Sequence, residues 1–155
     1  MKEVLIRKAN ISDLENILIL YQELFPNDHP IESSKAAKTL NEILENKTMT
    51  LLLLEHQNEI VSSCVLITVP NLTRGCRPFS IIENVITKSS HRKKGLASHL
   101  LKYAMQLAKD NGAYKISIQT GSNKEETLRF YENLGLVKGS KIAFIWKDEV
   151  SRASY

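Results

Sequence analysis

The stretch from Ile81 to Leu107 leaves this chain few choices of fold. Ile81-Ile82-Glu83-Asn84-Val85-Ile86-Thr87 is rich enough in β-branched residues to read as a strand. Lys88-Ser89-Ser90 leads from it into His91-Arg92-Lys93-Lys94-Gly95-Leu96-Ala97, where an apolar helical pattern begins. Leu96, Leu100, Ala104, Leu107 and Ala108 fall on one stripe of that helix. His99, Lys102, Gln106 and Lys109 fall on the exposed side, and Gly112 is placed to end it. Strand, bend and helix together require a sheet with a helix on its face. The bend itself is electrostatically odd. The first turn of a helix carries free N–H groups and a partial positive charge, so acids belong there. Three consecutive cations precede Gly95 instead. Each would cost about 0.3–1 kcal/mol with nothing to offset it. A bound anion converts that cost into affinity, so the segment reads as a phosphate-binding loop at a helix N-terminus. The other readings are a solvated basic turn and a nucleic-acid patch. No aromatics interleave the cations, which weighs against nucleic acid.

The rest of the chain builds around this unit. Val4–Arg7 reads as a first strand, and Ser12-Asp13-Leu14-Glu15 as a capping box. The helix it opens carries Leu14, Ile17, Leu18, Tyr21, Leu24 and Phe25 on one stripe. Pro26-Asn27-Asp28-His29-Pro30 stops that helix. A second helix follows from about Ser34 to Glu45, with Ala36, Leu40, Ile43 and Leu44 inward. Thr50–Glu55 and Ile60–Val69 form an antiparallel hairpin through His56-Gln57-Asn58-Glu59. After the central helix, Tyr114–Thr120 is a strand, and Ser122-Asn123-Lys124-Glu125 is a second capping box. The helix it starts carries Leu128, Phe130, Tyr131 and Leu134 and closes at Gly135. Lys141–Trp146 reads as a last strand, with Trp146 in the core. The expectation is an α/β (α+β) fold, a mixed central sheet flanked by helices in the order β-α-α-β-β-β-α-β-α-β. Residues 1–150 read as one domain and 151–155 as a tail.

The net charge of +4 suits an anionic ligand but is too weak to argue for nucleic acid. Cys64 and Cys76 fit a reducing compartment, and neither they nor the four histidines show metal-ligand spacing, so no metal is expected. The N-terminal apolar run is too short for a signal peptide, and the longest apolar tract, near Leu51–Leu54, is far below a membrane span. A cytoplasmic protein with no nucleic-acid and no membrane partner is expected, and a homodimer is left open by base rate.

Three patterns stand in fixed order: Ile82-Glu83-Asn84-Val85 on the strand, Arg92-x-x-Gly95-x-Ala97 at the bend, and Phe130-Tyr131-Glu132-Asn133-Leu134-Gly135-Leu136 on the later helix. Together they resemble the GNAT superfamily of acetyl-CoA-dependent N-acetyltransferases. The resemblance covers nearly the whole chain, including Ile6-Arg7-Lys8-Ala9 followed by Ser12-Asp13-Leu14. Ala97 departs from the commoner second glycine and Leu136 from the usual aromatic.

The resemblance implies a single-domain GNAT-like fold and transfer of an acetyl group from acetyl-CoA to a primary amine, the expected acceptor being a small molecule, by direct attack on the thioester. It implies a pyrophosphate cradled by backbone N–H groups of Arg92, Lys93, Lys94, Gly95, Leu96 and Ala97, with Ser98 in the same first turn. The cationic side chains there also suit a nucleotide 3′-phosphate. Val85, Ile86 and Thr87 would pair with the pantetheine arm as an added strand does. Tyr131 would lie beside the cofactor sulfur and protonate the departing thiolate. Glu83 is either a general base acting through water or an anchor for the substrate ammonium. Asn84 should face the other side of the strand, by period two, and is the weaker candidate. A backbone N–H near Val85 is placed to stabilise an oxyanion. Asn123 is a cofactor contact or a plain helix cap. The acceptor should meet Phe25 and its loop, the 71–79 loop with Arg74 and Arg77, Glu83 and Asn84. The two arginines favour a small amine with an anionic group, such as an amino acid or amino sugar phosphate. A protein N-terminus or lysine stays open. The alternative function is a catalytically quiet acetyl-CoA-binding sensor or interaction module; retention of both Glu83 and Tyr131 favours the enzyme.

Overall fold

The computed structural model describes residues 4–139 and 142–147. The chain divides into two compact units, Met1–Thr120 and Gly121–Tyr155. The first unit contains one five-stranded sheet in spatial order β1-β2-β3-β4-β5. Its strands are β1 (Val4–Lys8), β2 (Met49–His56), β3 (Glu59–Val69), β4 (Phe79–Thr87) and β5 (Ile116–Ile118). The first four are antiparallel to their neighbours, and β5 runs parallel to β4. The helices are α1 (Leu14–Leu24), α2 (Ser33–Glu45), a single turn α3 (Thr73–Cys76), and α4 (Leu96–Asp110). The second unit contains α5 (Glu125–Glu132).

The hairpin turn between β2 and β3 places Gln57 and Asn58 at φ of 57° and 63°, the twist that suits a two-residue connection. Leu51, Leu52, Leu53 and Leu54 are all buried, as a central strand covered on both faces requires. On one face Ile17 of α1 and Leu40 of α2 pack with Leu51, Leu53 and Val65. Strand alternation turns Leu52, Leu54 and Leu66 to the opposite face, where α4 packs against β2, β3 and β4. Helix α4 buries Leu96, Leu100, Leu101, Ala104 and Ala108. A helix laid across three strands covers a wider stripe than the expected one, so Leu101 is buried and Leu107 only half-buried. Similarly Leu20 is buried on α1 beyond the expected stripe, while Phe25 and Leu44 are 42% and 36% exposed at their helix ends.

Both capping expectations need correction. The first box is formed by Asn10, whose Oδ1 accepts from the Ser12 N–H at 2.9 Å while its own N–H donates to Asp13 Oδ2 at 2.8 Å. It caps a short 3-10 turn, Ile11–Asp13, ahead of α1. The shift follows from Asp13, which the Arg7 guanidinium grips at 2.7 and 2.8 Å. Arg7 Nε also donates to Glu55 Oε1 at 2.7 Å, which ties β1 to β2 and to the start of α1. These bonds from Arg7 hold the Asp13 carboxyl below the usual carboxylate range. The second box does not form: Lys124 occupies the cap of α5 with no side-chain hydrogen bond, and its N–H reaches Ser122 Oγ at 3.3 Å.

The expected last strand also fails. Lys141 lies outside the described residues, and 142–147 form no strand. Ile142, Phe144, Ile145 and Trp146 are 85%, 96%, 68% and 82% exposed, so Trp146 is not a core residue among those described. A run of β-branched and aromatic residues supplies strand propensity, but a strand exists only with a ladder partner. The Tyr114–Thr120 strand is trimmed for the same reason to Ile116–Ile118, the residues that pair with β4. No helix among the described residues is long and apolar enough to cross a membrane.

Candidate active site

The site begins at an irregularity in β4. Glu83 pairs with Val65 across β3, and the next pairing is Ile86 with Ser63. Three steps on β4 thus match two on β3, which is a bulge. Asn84, exposed and at φ 51°, sits in it with left-handed backbone. A period-two count cannot be carried through such a residue, so Asn84 is not simply opposite to Glu83.

The bulge also changes which way the backbone amides point. Before it, the Ser80 N–H donates to Lys115 O at 2.8 Å, toward β5. After it, the Lys88 N–H donates to Val61 O at 2.8 Å, toward β3. Alternation back from Lys88 turns the backbone groups of Ile86 to β3 and those of Val85 and Thr87 to the β5 side. The last β5 pairing is Ile118 with Ile82. From Glu83 to Thr87, roughly 13 Å at the usual rise, β4 has no strand partner on that side among the described residues. Buried Ser62 locks this end of the strand. Its Oγ donates to Ile86 O at 2.7 Å and accepts from Thr87 Oγ1 at 2.8 Å.

The bend follows directly. Glu23 of α1 braces it, accepting from the Ser89 N–H at 2.7 Å and lying 3.9 Å from the Arg92 guanidinium. Arg92 Nε donates to Thr87 O at 3.0 Å, and Lys94 Nζ to Ser90 O at 3.0 Å. Lys93 has φ 60° and Gly95 φ 76°, ψ 0°. Left-handed residues at alternate positions turn successive N–H groups into one concavity, the geometry of an anion nest. Gly95 caps α4; no side chain caps its first turn and no acid lies in that turn. The first intrahelical bond is His99 N–H to Gly95 O at 3.0 Å, which leaves the N–H groups of Leu96, Ala97 and Ser98 ahead of it. The cradle fits a diphosphate, and the bare edge of β4 fits an extended, amide-bearing arm leading into it.

Glu83 is half-buried on the α1/α2 face, the face of its partner Val65. Its carboxylate makes no hydrogen bond or ion pair with the described residues. Phe79 and Ile81 precede it on the same face of β4, with Ser117 alongside Ile81 on β5 and Lys115, just before β5, over the Phe79 ring. Phe25 lines a groove of about 390 Å³ with Tyr21, Gln22, Asp28 and His29. Burial pushes the Tyr21 phenol up. Arg74 and Arg77 are exposed on the turn before β4, and Arg77 Nε donates to Gly112 O at 3.4 Å. A wider hollow of about 720 Å³, bounded by Thr48, Thr68, Pro70 and Cys76, contains none of the candidate site residues.

In the second unit, Tyr131 is half-buried on α5 and its ring meets that of Phe130 edge-on, with centroids 5.1 Å apart. Asn123 is exposed, one residue before the Lys124 cap. The sequence reading missed Glu23 and Ser62. Nothing in the spacing of α1 marks Glu23 as a brace. Ser62-Ser63 did carry a signal, as two hydroxyls inside an otherwise apolar strand.

The model of the acetyltransferase (GNAT) family matches residues 14–136. Over 76 residues the chain is 36% identical to a glucosamine 6-phosphate N-acetyltransferase of Trypanosoma brucei brucei, covering 49% of this chain and 50% of that protein. The chain thus spans about half the length of that curated relative. A solved chain from Agrobacterium tumefaciens strain C58, described no further than as an acetyltransferase, is 30% identical with a TM-score of 0.88, covering 92% of this chain and 99% of that one. An aminoglycoside N-acetyltransferase solved in complex with CoA shares the fold at 19% identity and a TM-score of 0.77, covering 94% of this chain and 95% of that one.

Proposed function

We propose, from the premise that this chain belongs to the GNAT acetyltransferase family, that it moves an acetyl group from acetyl-CoA to the primary amine of a small molecule. The observation that carries the reading is one continuous piece of backbone. The unpartnered side of β4 runs through the bend into a helix start with no side-chain cap and no acid. A ligand with a diphosphate at one end and an extended amide arm at the other matches both halves.

Acetyl-CoA supplies the activated acyl carbon as a thioester. The N–H groups of Leu96, Ala97 and Ser98 bind its diphosphate, helped by the positive end of α4. Val85 and Thr87 orient the arm through their outward backbone groups. The Val85 N–H is available to the carbonyl oxygen as charge develops there. Glu83 receives the acceptor ammonium on the α1/α2 face and takes its proton through a water. Tyr131, carried by the family signature on α5, protonates the departing thiolate. The acceptor bears an anionic group. That choice is supported by Arg74 and Arg77, which pair with no carboxylate among the described residues, and by relatives named for glucosamine 6-phosphate.

Thermal stabilisation by acetyl-CoA, followed by thiol release over a panel of amines, tests the proposal. Ligand at a hundred times its Kd should add about 2.7 kcal/mol to the stability of the folded state. No stabilisation would remove the proposal. Stabilisation with no thiol release on any amine would leave a quiet acetyl-CoA-binding module in its place.

A further inference from the structure

Two cations share one aromatic ring at the start of β4 and β5. The Arg74 guanidinium carbon lies 6.0 Å from the centroid of the Tyr114 ring. Lys115 Nζ lies 6.0 Å from the same centroid and 5.1 Å from that of Phe79. Among the described residues neither cation has a carboxylate partner. The ring quadrupole holds each charge but neutralises neither. An anion that entered beside the ring would meet both. The backbone that presents Arg74 is itself unusual. Arg74 (φ 58°, ψ 36°), Gly75 (φ 69°, ψ 39°) and Cys76 (φ 58°) are three left-handed residues in a row. Non-glycine residues adopt that conformation only where the surroundings hold them there.

The placement of this cluster relative to Glu83 sets a length. Phe79 and Glu83 lie on the same face of β4, four residues apart, roughly 13 Å at the rise of a strand. Ile81 and Ser117, half-buried and uncharged, lie between. The strip therefore offers a carboxylate at one end, a neutral floor, and paired cations at the other. Arg77 Nε donates to Gly112 O, and its guanidinium is not part of the cluster on the Tyr114 ring.

We infer that Arg74 and Lys115, gathered on Tyr114, bind a terminal phosphate of the acceptor while Glu83 holds its ammonium, so that the enzyme selects elongated phosphorylated amines. This rests on the acetyl-transfer reading only in taking Glu83 as the amine end. A dianion is favoured over a carboxylate because two positive charges face it.

Calorimetric binding of an aminoalkyl phosphate ladder, from aminoethyl to aminooctyl, tests the inference without needing turnover. Aminooctyl phosphate, whose extended length is close to the strip, should bind about tenfold or more tightly than aminoethyl phosphate, and more tightly than the carboxylate of equal length. Lys115→Met and Arg74→Gln should each weaken aminooctyl phosphate by about tenfold, the worth of one charged hydrogen bond, while acetyl-CoA affinity stays unchanged. Lys115→Arg, which keeps the charge, should retain most of the binding and controls for folding. A ladder flat in length, no phosphate preference, or variants that bind aminooctyl phosphate like the parent would overturn the inference. If acetyl-CoA still binds and is turned over in that case, the acetyl-transfer reading survives alone. If acetyl-CoA fails to bind while the ladder behaves as expected, it is the acetyl-transfer reading that falls.

Discussion

Replacing Gly95 by alanine separates the backbone of the bend from its chemistry. A Cβ built on Gly95 meets nothing within 4 Å, so no side chain or strand needs to move. The cost comes from the left-handed backbone, φ 76° and ψ 0°, which an L residue with a Cβ adopts at about 1–2 kcal/mol. At the lower end of that range the melting temperature should fall by about 4 °C for a chain of this size. Ligand affinity should fall further. An alanine eases its strain by moving φ toward negative values, and that rotation re-aims the N–H groups of Leu96 and Ala97. Each is a hydrogen bond to a charged oxygen worth about 1.5–3 kcal/mol, so coenzyme A should bind about 10- to 100-fold more weakly. Urea unfolding and calorimetric titration on the same samples measure both quantities. A stability loss above about 3 kcal/mol would mean that a steric contact, not backbone strain, sets the cost, since strain alone reaches about 2 kcal/mol. The expected stability loss with unchanged coenzyme A affinity would refute the role of these amides.

Other outcomes follow from the same geometry. Asp13→Asn should cost about 2–3 kcal/mol, because Arg7 then keeps only Glu55 as a charged partner. The Asp13 carboxyl is held below its unfolded value, so its stabilisation is present above about pH 4 and is lost as pH falls through the folded value. The stability gap between parent and variant should therefore close in acid; a gap independent of pH would contradict the pairing. Tyr131→Phe should lower turnover by about a hundredfold with coenzyme A affinity little changed, and unchanged turnover would remove the phenol from the mechanism. Glu83→Gln should abolish the limb of the pH–rate profile that reports a general base. A rise in acceptor KM with that limb intact would reduce Glu83 to an ammonium anchor.

Much of this was legible in the sequence for a physical reason. Gly95 after three cations breaks a strong local rule, and such violations concentrate at working sites. Short apolar runs placed β2, β3 and β4, and a 3.6-residue period placed α4, because each must be buried. What escaped depends on contacts far apart in the chain. The Asn84 bulge is invisible to a two-residue period, since the period itself fails there. Glu23 reaches the Ser89 amide from 66 positions away, and no local pattern encodes that. Asn10 displaced the expected cap because Arg7 claims Asp13 from another element. The cation cluster on Tyr114 was half legible: Arg74 stood out in its loop, whereas nothing local singles out Lys115, which only the folded chain sets over Phe79. Ile142–Trp146 is an apolar run with strand-forming residues, but such a run states only a preference.

The most direct measurement is a crystal structure of the protein grown with coenzyme A. Diphosphate density should lie within hydrogen-bonding distance of the Leu96, Ala97 and Ser98 amides, and the arm should extend along β4 with bonds to the backbone of Val85 and Thr87. Coenzyme A bound elsewhere on the chain, with the turn before α4 bare, would refute this binding mode.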